Sequence, residues 1–299
     1  MGKIATRLPL AECVATHVRR DGVVGIGGLH FHNTPMAMVR EIIRQEIPIS
    51  RLIPPLDGSL NADQLIGAGL VEEVQIAYLG LEHFGMAGRF RAAAESGRLR
   101  VRDCEEGGFV LGLAAAAAGQ PFGALPAGLI APAGGVPGIA TANADDYRPV
   151  IDPFTGREHM AVRAIAPDVA LIHCQLIDAR GNCGFLGGTF LDLELARAAR
   201  ICLVLAEREV DELPAGCRGH LPGYVVDAYC VLDGGAHPGS SHGLYGYDGE
   251  HIAAYASAAR SDDGFARYRT ETIGPSELHY RAAAGVPVRI GELAVRIGA

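Results

Sequence analysis

Positive charge is scarce in this sequence of 299 residues. The chain has a single lysine, Lys3, no run of basic residues and a formal net charge of −8 at pH 7. A protein that binds the phosphate backbone of a nucleic acid needs a clustered basic surface. The charge pattern therefore predicts that nucleic acid is not a partner.

Paired cysteines are also absent. The chain has an odd number of scattered cysteines and no Cys-x-x-Cys motif. This pattern is typical of reduced thiols in a cytoplasmic protein, and it disfavours a disulfide framework or a zinc site. The seven cysteines are Cys13, Cys104, Cys174, Cys183, Cys202, Cys217 and Cys230.

No apolar segment is long enough to cross a bilayer. The longest apolar stretches, such as residues 109–118, are short and bounded by glycine. Residues 1–22 contain neither an apolar core nor a cleavage-like site, and the spacing of Leu10, Val14 and Val18 indicates an amphipathic helix. We therefore expect no membrane association.

Strand-like and helix-like segments alternate along the chain. Hydrophobic residues make up 49% of the sequence and charged residues 20%, which indicates a globular protein with a large core. The pattern predicts an α/β fold with a mainly parallel sheet and helices on both faces. The predicted strands are 23–26, 49–55, 74–79, 99–103, 169–174, 201–206 and 224–232. The predicted helices are 35–45, 62–70, 86–96, one from 105 onward, 191–200, 250–259, 262–270 and 275–284.

The alternation is interrupted over residues 122–153. Prolines and glycines are frequent there and would break a regular element. We expect a long ordered loop or a sheet edge. Loops of this length in compact domains are usually functional or cover a site.

The segment 22–44 has the clearest features of a binding site. A short apolar strand leads into a turn containing Gly25, Gly27 and Gly28, then a polar loop, and then a helix that begins near Pro35. Ligands bind at the carboxyl ends of strands in open α/β sheets, and glycines allow close approach to main-chain amides. His30 stands where a dinucleotide fingerprint has its third glycine, which disfavours a nicotinamide or flavin site. A purely structural turn remains an alternative.

Several ordered segments resemble the α subunits of family I coenzyme A-transferases. The segments look like those of the α subunit of glutaconate CoA-transferase, and the similarity covers nearly the whole chain. It implies a single domain over residues 1–299 and a hetero-oligomer with a β subunit. The segments that carry it are GVVGIGGLHFHNTPMAMV in the glycine region, VIDPF (150–154), PDVALIHCQ (167–175), GGTFLDLELARAAR (187–200) and GAHPGSSHGLYGYD (235–248).

The resemblance implies a covalent mechanism shared between two subunits. In that family a glutamate attacks the acyl-CoA carbonyl, and CoA then passes through a glutamyl thioester to a second acid. This glutamate normally lies on the β subunit, so the present chain would form half of an active site. Coenzyme A would be a substrate and no cofactor would be bound permanently. The acyl group would come from a dicarboxylic or keto acid.

Two loops are candidates for acyl binding. Main-chain amides can stabilise the oxyanion that forms during attack on a thioester, and the candidates for such donors, or for close packing around the acyl group, are Gly27, Gly28 and Leu29. The candidates for binding the acid's carboxylate are His30, His32 and Asn33, or equally Ser240, Ser241 and His242. His30 and His32 could also be an ordinary surface pair. Two ligands without a third do not make a metal site, so no metal is predicted.

Glu106 is the candidate catalytic residue of this chain. Together with Glu105 it forms an acidic pair at a strand-to-helix junction, which is usually a solvated helix start. However, the α subunit of a steroid ring-cleaving acyl-CoA hydrolase resembles this chain at the same place. There the glutamate matching Glu106 is catalytic and water completes the reaction. Alternatives to transfer are therefore a hydrolase that uses Glu106 and a non-catalytic subunit that completes its partner's site.

Overall fold

The computed structural model describes residues 5–126 and 145–286. In chain order the strands there are β1 (Thr6–Arg7), β2 (Gly22–Ile26), β3 (Ile49–Ile53), β4 (Asp57–Gly58), β5 (Val71–Ile76), β6 (Tyr78–Leu79), β7 (Arg100–Asp103), β8 (Phe122–Pro126), β9 (Tyr147–Ile151), β10 (Glu158–Arg163), β11 (Val169–Asp178), β12 (Cys183–Phe185), β13 (Ile201–Val210), β14 (Gly219–Leu221) and β15 (Ala228–Val231). The α-helices are α1 (Leu10–His17), α2 (Met36–Arg44), α3 (Leu60–Gly67), α4 (Gly88–Glu95), α5 (Glu106–Ala117), α6 (Asp192–Ala198), α7 (Gly249–Ala258), α8 (Asp262–Tyr268) and α9 (Glu277–Ala283).

A parallel sheet organises the described part of the chain. Its strand order is β1-β15-β13-β11-β2-β3-β5-β7, and each neighbouring pair is parallel. The short strands β12 and β14 extend it in the antiparallel sense from the end of β11. The predicted parallel-rich α/β fold is confirmed.

Alternate residues of the central strands belong to two separate cores. Leu171 and Leu203 pack on one face with side chains of α1, α2, α3 and α7. Ile172 and Val204 pack on the other face with side chains of α5 and α6. Because helices cover both faces of the sheet, β11 is buried along its whole length and its sequence is largely apolar.

A small three-stranded sheet includes both ends of the segment 122–153. Strands β8 and β9 pair with opposite edges of β10, where Met160 and Val162 pack with Leu125. Proline is tolerated on edge strands, and Pro149 lies on one. Of the two predicted alternatives, a long loop or a sheet edge, the sheet edge is found at both ends of this segment. Residues 127–144 lie outside the described residues.

The remaining predicted elements are found with shifted ends. Strands β11 and β13 each run four residues beyond their predicted ends, because polar residues near their carboxyl ends still pair within the sheet. Of the helices within residues 5–126 and 145–286, none combines the length and apolarity needed to cross a membrane.

Candidate functional site

Two loops meet at the carboxyl ends of the parallel strands. We call residues 29–34, after β2, the first loop, and residues 234–248, after β15, the second loop. The amide of Asn33 donates to the carbonyl of Ser240 at 2.8 Å, and the amide of Ser240 donates to the carbonyl of Phe31 at 2.6 Å. The two loops that the sequence offered as separate candidates therefore form one structure.

The Asn33 side chain links the two loops to β11. It is fully buried, and its Oδ1 accepts from the amide of His242 and from Nε2 of Gln175, both at 3.0 Å. Its Nδ2 donates to the carbonyl of Gly188 at 3.2 Å. Gln175 also donates to Oγ of Ser241 at 3.2 Å. This network determines where the neighbouring histidines lie.

His32, Ser240 and His242 form the polar mouth of the joined loops. Nδ1 of His32 lies 2.6 Å from Oγ of Ser240, and the rings of His32 and His242 are 5.4 Å apart between centroids. Both rings are partly exposed. Burial, followed by the nearby charges of His242 and His30, lowers the pKa of His32, and burial followed by His173 lowers the pKa of His242. Both imidazoles are therefore mainly neutral at pH 7, with N–H groups available to a ligand.

His30 is not part of this mouth. Its Nδ1 lies 3.1 Å from a carboxylate oxygen of Glu82, and its Nε2 lies 3.5 Å from one of Asp57. Its φ of 48° is unusual for a non-glycine residue and belongs to the tight bend of the first loop. The prediction placed His30 in one group with His32 and Asn33. The three residues are neighbours in the chain, but the side chain of His30 faces Asp57 and Glu82 and not the polar mouth.

The amides of Gly27, Gly28 and Leu29 are already used inside the chain. They donate to the carbonyl of Leu171 at 2.8 Å, to Oδ1 of Asp192 at 2.7 Å and to the carbonyl of His32 at 2.9 Å, respectively. The prediction that these three amides donate to an oxyanion is therefore wrong. Their close packing beside an acyl group stays a prediction.

Glu106 lies at the same edge of the sheet but away from the joined loops. It is the exposed first residue of α5 and forms no hydrogen bond or ion pair with the residues that the structure describes. The helix start is capped by Glu105, which accepts from the amides of Gly107 at 2.9 Å and Gly108 at 2.8 Å. Because α5 follows β7, three strands from β2, the lateral separation is about 14 Å at the usual strand spacing.

The comparison with known proteins identifies the family. Residues 8–228 match the family model described as coenzyme A transferase. The chain belongs to the coenzyme A transferase family. This confirms the resemblance that the sequence segments indicated.

Relatives of this coenzyme A transferase chain carry two activities in their names. It is 32% identical to a 3-oxoadipate CoA-transferase subunit of Pseudomonas knackmussii, covering 90% of this chain and 94% of that one. It is 30% identical to the cholesterol ring-cleaving hydrolase IpdA subunit of Mycobacterium tuberculosis, covering 93% and 96%. The crystal structure of glutaconate coenzyme A-transferase from Acidaminococcus fermentans matches with a TM-score of 0.83 at 25% identity, covering 94% and 93%.

One set of potential metal ligands occurs among the described residues of this transferase chain. Ligand atoms of His237, Asp248 and His251 lie within 4.8 Å of one another. The buried guanidinium of Arg40 donates to the carbonyl of His237 at 2.7 Å, and its charge lowers the pKa of both histidines after the larger effect of burial. A cation beside Arg40 would be repelled, so we assign these groups to the hydrogen bonds that hold α7 and α9. Nδ1 of His237 lies 2.8 Å from the hydroxyl of Tyr280, and Nε2 of His251 lies 2.9 Å from that of Tyr268.

Sequence reasoning missed Gln175, whose side chain joins both loops to β11, and Asp192, which accepts a hydrogen bond from the amide of Gly28. Gln175 is a polar residue in a largely apolar strand, and that contrast was the available signal. His173 is a hydrogen-bonded core residue, because it is buried and its Nε2 lies 2.8 Å from Oε1 of buried Glu207. Burial would raise the pKa of Glu207, but hydrogen bonds from His173, Tyr245 and the amide of Gly234 hold it below its usual value. Glu207 thereby anchors the start of the second loop.

Proposed function

We propose that this chain is the α subunit of a coenzyme A transferase that moves CoA from an acyl-CoA to a free carboxylic acid. The acyl group belongs to a dicarboxylic or keto acid, and coenzyme A is a substrate. The nucleophilic glutamate lies on a partner β subunit. The joined loops bind the acyl group from the α side.

The single observation that carries this proposal is the make-up of the polar mouth. His32, Ser240 and His242 supply hydrogen-bonding groups at a partly exposed edge. Among the described residues, no carboxylate forms a hydrogen bond or ion pair with these three side chains. A site with donors but no carboxylate nucleophile among the described residues fits a half-site that a second polypeptide completes. Preorganised donors of this kind stabilise developing negative charge on an acyl oxygen.

The proposal is tested by coexpressing the chain with a β-type partner and following CoA between two acids. We expect an acyl-CoA and a free acid to yield a new acyl-CoA, because a covalent thioester intermediate passes CoA to a carboxylate. The measurement is chromatographic separation of the two acyl-CoA species. A complex that releases a hydrolysed product without forming a second acyl-CoA would contradict transfer.

A second candidate, supported by the exposed carboxylate of Glu106, is a hydrolase that opens a ring or a carbon–carbon bond in a CoA thioester. In that reaction Glu106 would act as the catalytic acid or base. Its position at the start of α5 leaves it available to a substrate. The proposed reaction type follows the name of the similar IpdA subunit, a cholesterol ring-cleaving hydrolase.

Substitution of Glu106 separates the two candidates. If the chain serves a transferase, we expect Glu106→Gln to leave CoA exchange within a factor of about three, since surface substitutions have small effects. If it serves a hydrolase, loss of an acid or base would lower the rate by about 10²- to 10⁴-fold. Glu105→Gln is the matched control, because it weakens the cap of α5 without removing the exposed carboxylate. Steady-state rates of the assembled complex with acyl-CoA alone and with an acceptor acid provide the comparison.

A further inference from the structure

The buried carboxyl group of Asp192 has no role in the function proposed so far. Asp192 begins α6, is 1% exposed, and accepts a hydrogen bond from the amide of Gly28 through Oδ1 at 2.7 Å. Its other oxygen, Oδ2, is buried and has no hydrogen-bond partner among the described residues. A buried polar atom without a partner is costly and calls for an explanation.

The glycine bend is shaped around this carboxyl group. A Cβ on Gly27 would overlap Oδ1 of Asp192, and a Cβ on Gly28 would lie 2.5 Å from the carbonyl oxygen of His32. Gly28 also has a φ of 91°, which side chains rarely permit. Gly27 is therefore required for the bend to receive Asp192, and Gly28 is required for the bend itself. This is a different use of the two glycines from amide donation to a substrate.

The surroundings of Asp192 favour its neutral form. The narrow crevice beside it is lined by apolar side chains from β2, from the segment after β3 and from α5, including Ile26, Leu56, Phe109 and Leu113. The crevice volume of about 10 Å³ is at the limit for a single water molecule. Among the described residues no cation faces the carboxyl group, and the charged group that acts on it is Glu194 in its own helix. Burial, opposed by the Gly28 amide and assisted by Glu194, raises the pKa of Asp192 to about 8.

We propose that Asp192 is a positioning residue whose neutral carboxyl group fixes the glycine bend, and through it the first loop that carries His32 and Asn33. This inference rests on the proposed acyl-binding role of that loop. Ionisation would place a charge against apolar side chains, so water would have to enter between the bend, α5 and α6. The first loop would then lose its fixed position while the hydrogen bonds within each helix remain.

The test compares the pH dependence of the wild-type complex with that of Asp192→Asn. The amide keeps an acceptor for the Gly28 N–H and mimics the neutral acid, but it does not titrate. We expect the kcat/KM of the wild type to fall with a midpoint near pH 8 and by about tenfold one pH unit above it. Asp192→Asn should lack this alkaline decrease, and Glu194→Gln should keep it with a midpoint at lower pH.

Hydrogen exchange provides a readout that does not depend on the assay. At the same alkaline pH, the amides of Gly28, Leu29 and His32 should exchange faster in the wild-type complex than in Asp192→Asn. The proposal would be overturned if Asp192→Asn kept both the alkaline decrease in kcat/KM and the fast amide exchange of the wild type. It would also be overturned if Asp192→Asn lost activity to the same extent at every pH. If the complex transfers no CoA, the proposed function fails, while the exchange comparison still decides whether Asp192 controls the bend.

Discussion

Replacing Asn33 by alanine is expected to lower the kcat/KM of the assembled complex by about two orders of magnitude. The side chain is fully buried and joins the first loop to the second loop and to β11. Its removal would leave the amide of His242 and the carbonyl of Gly188 without this partner. Each buried polar group that loses its partner costs about 1–3 kcal/mol, and His32 and His242 would no longer be held in one arrangement.

A matched control for Asn33→Ala is Asn182→Ala. Asn182 also accepts one backbone hydrogen bond, from the amide of Gly223 at 2.9 Å, and donates one, to Asp178 at 2.8 Å. These contacts lie in the turn after β11, outside the joined loops. We expect Asn182→Ala to reduce thermal stability but to leave kcat/KM near the wild-type value. Equal losses of activity in both variants would show that Asn33 has only a general structural role.

The elements of the fold that could be predicted are those that a local sequence pattern indicates. A strand buried on both faces needs a continuous apolar run, and the runs that became β2, β11 and β13 were recognisable for that reason. The strands β8 and β9 were not, because their stabilising partner is β10 and their sequences contain proline. Pairing between distant segments decides such elements, and a local pattern does not contain it.

In the candidate site, too, the sequence indicated the residues but not the contacts between them. Both loops were identified from glycine and polar residues, but their union depends on hydrogen bonds between positions 208 and 209 residues apart. The glycine amides were expected to be open because glycine permits access. The acceptor for the Gly28 amide, however, is a carboxyl group 164 residues away in the chain. Chemical type was therefore readable from the sequence, whereas the partner of each group was not.

Replacing Arg40 by methionine is expected to cause the largest loss of stability, about 3–5 kcal/mol in the free energy of unfolding. Arg40 is fully buried in α2, its Nε donates to Glu277 at 3.0 Å, and its guanidinium lies 3.6 Å from the ring centroid of Tyr280. Methionine would leave the buried carboxylate of Glu277 with only Arg44 as its cationic partner. Arg91→Met is the control, since the Arg91–Glu95 pair in α4 is exposed and surface ion pairs contribute little to stability.

The acid dependence of unfolding checks whether this loss comes from the ion pair. Burial would raise the pKa of Glu277, but Arg40 and Arg44 hold it below the usual value of 4.5. The stabilisation is therefore present above pH 4.5 and is lost as the pH falls through the lower folded-state pKa. Urea unfolding across this range should show a weaker acid dependence in Arg40→Met than in the wild type. An unchanged dependence would mean that packing on Tyr280 dominates. Arg40 also donates to the carbonyl of His237 in the second loop, and its helix α2 follows the first loop. The same substitution should therefore loosen both loops of the proposed acyl site.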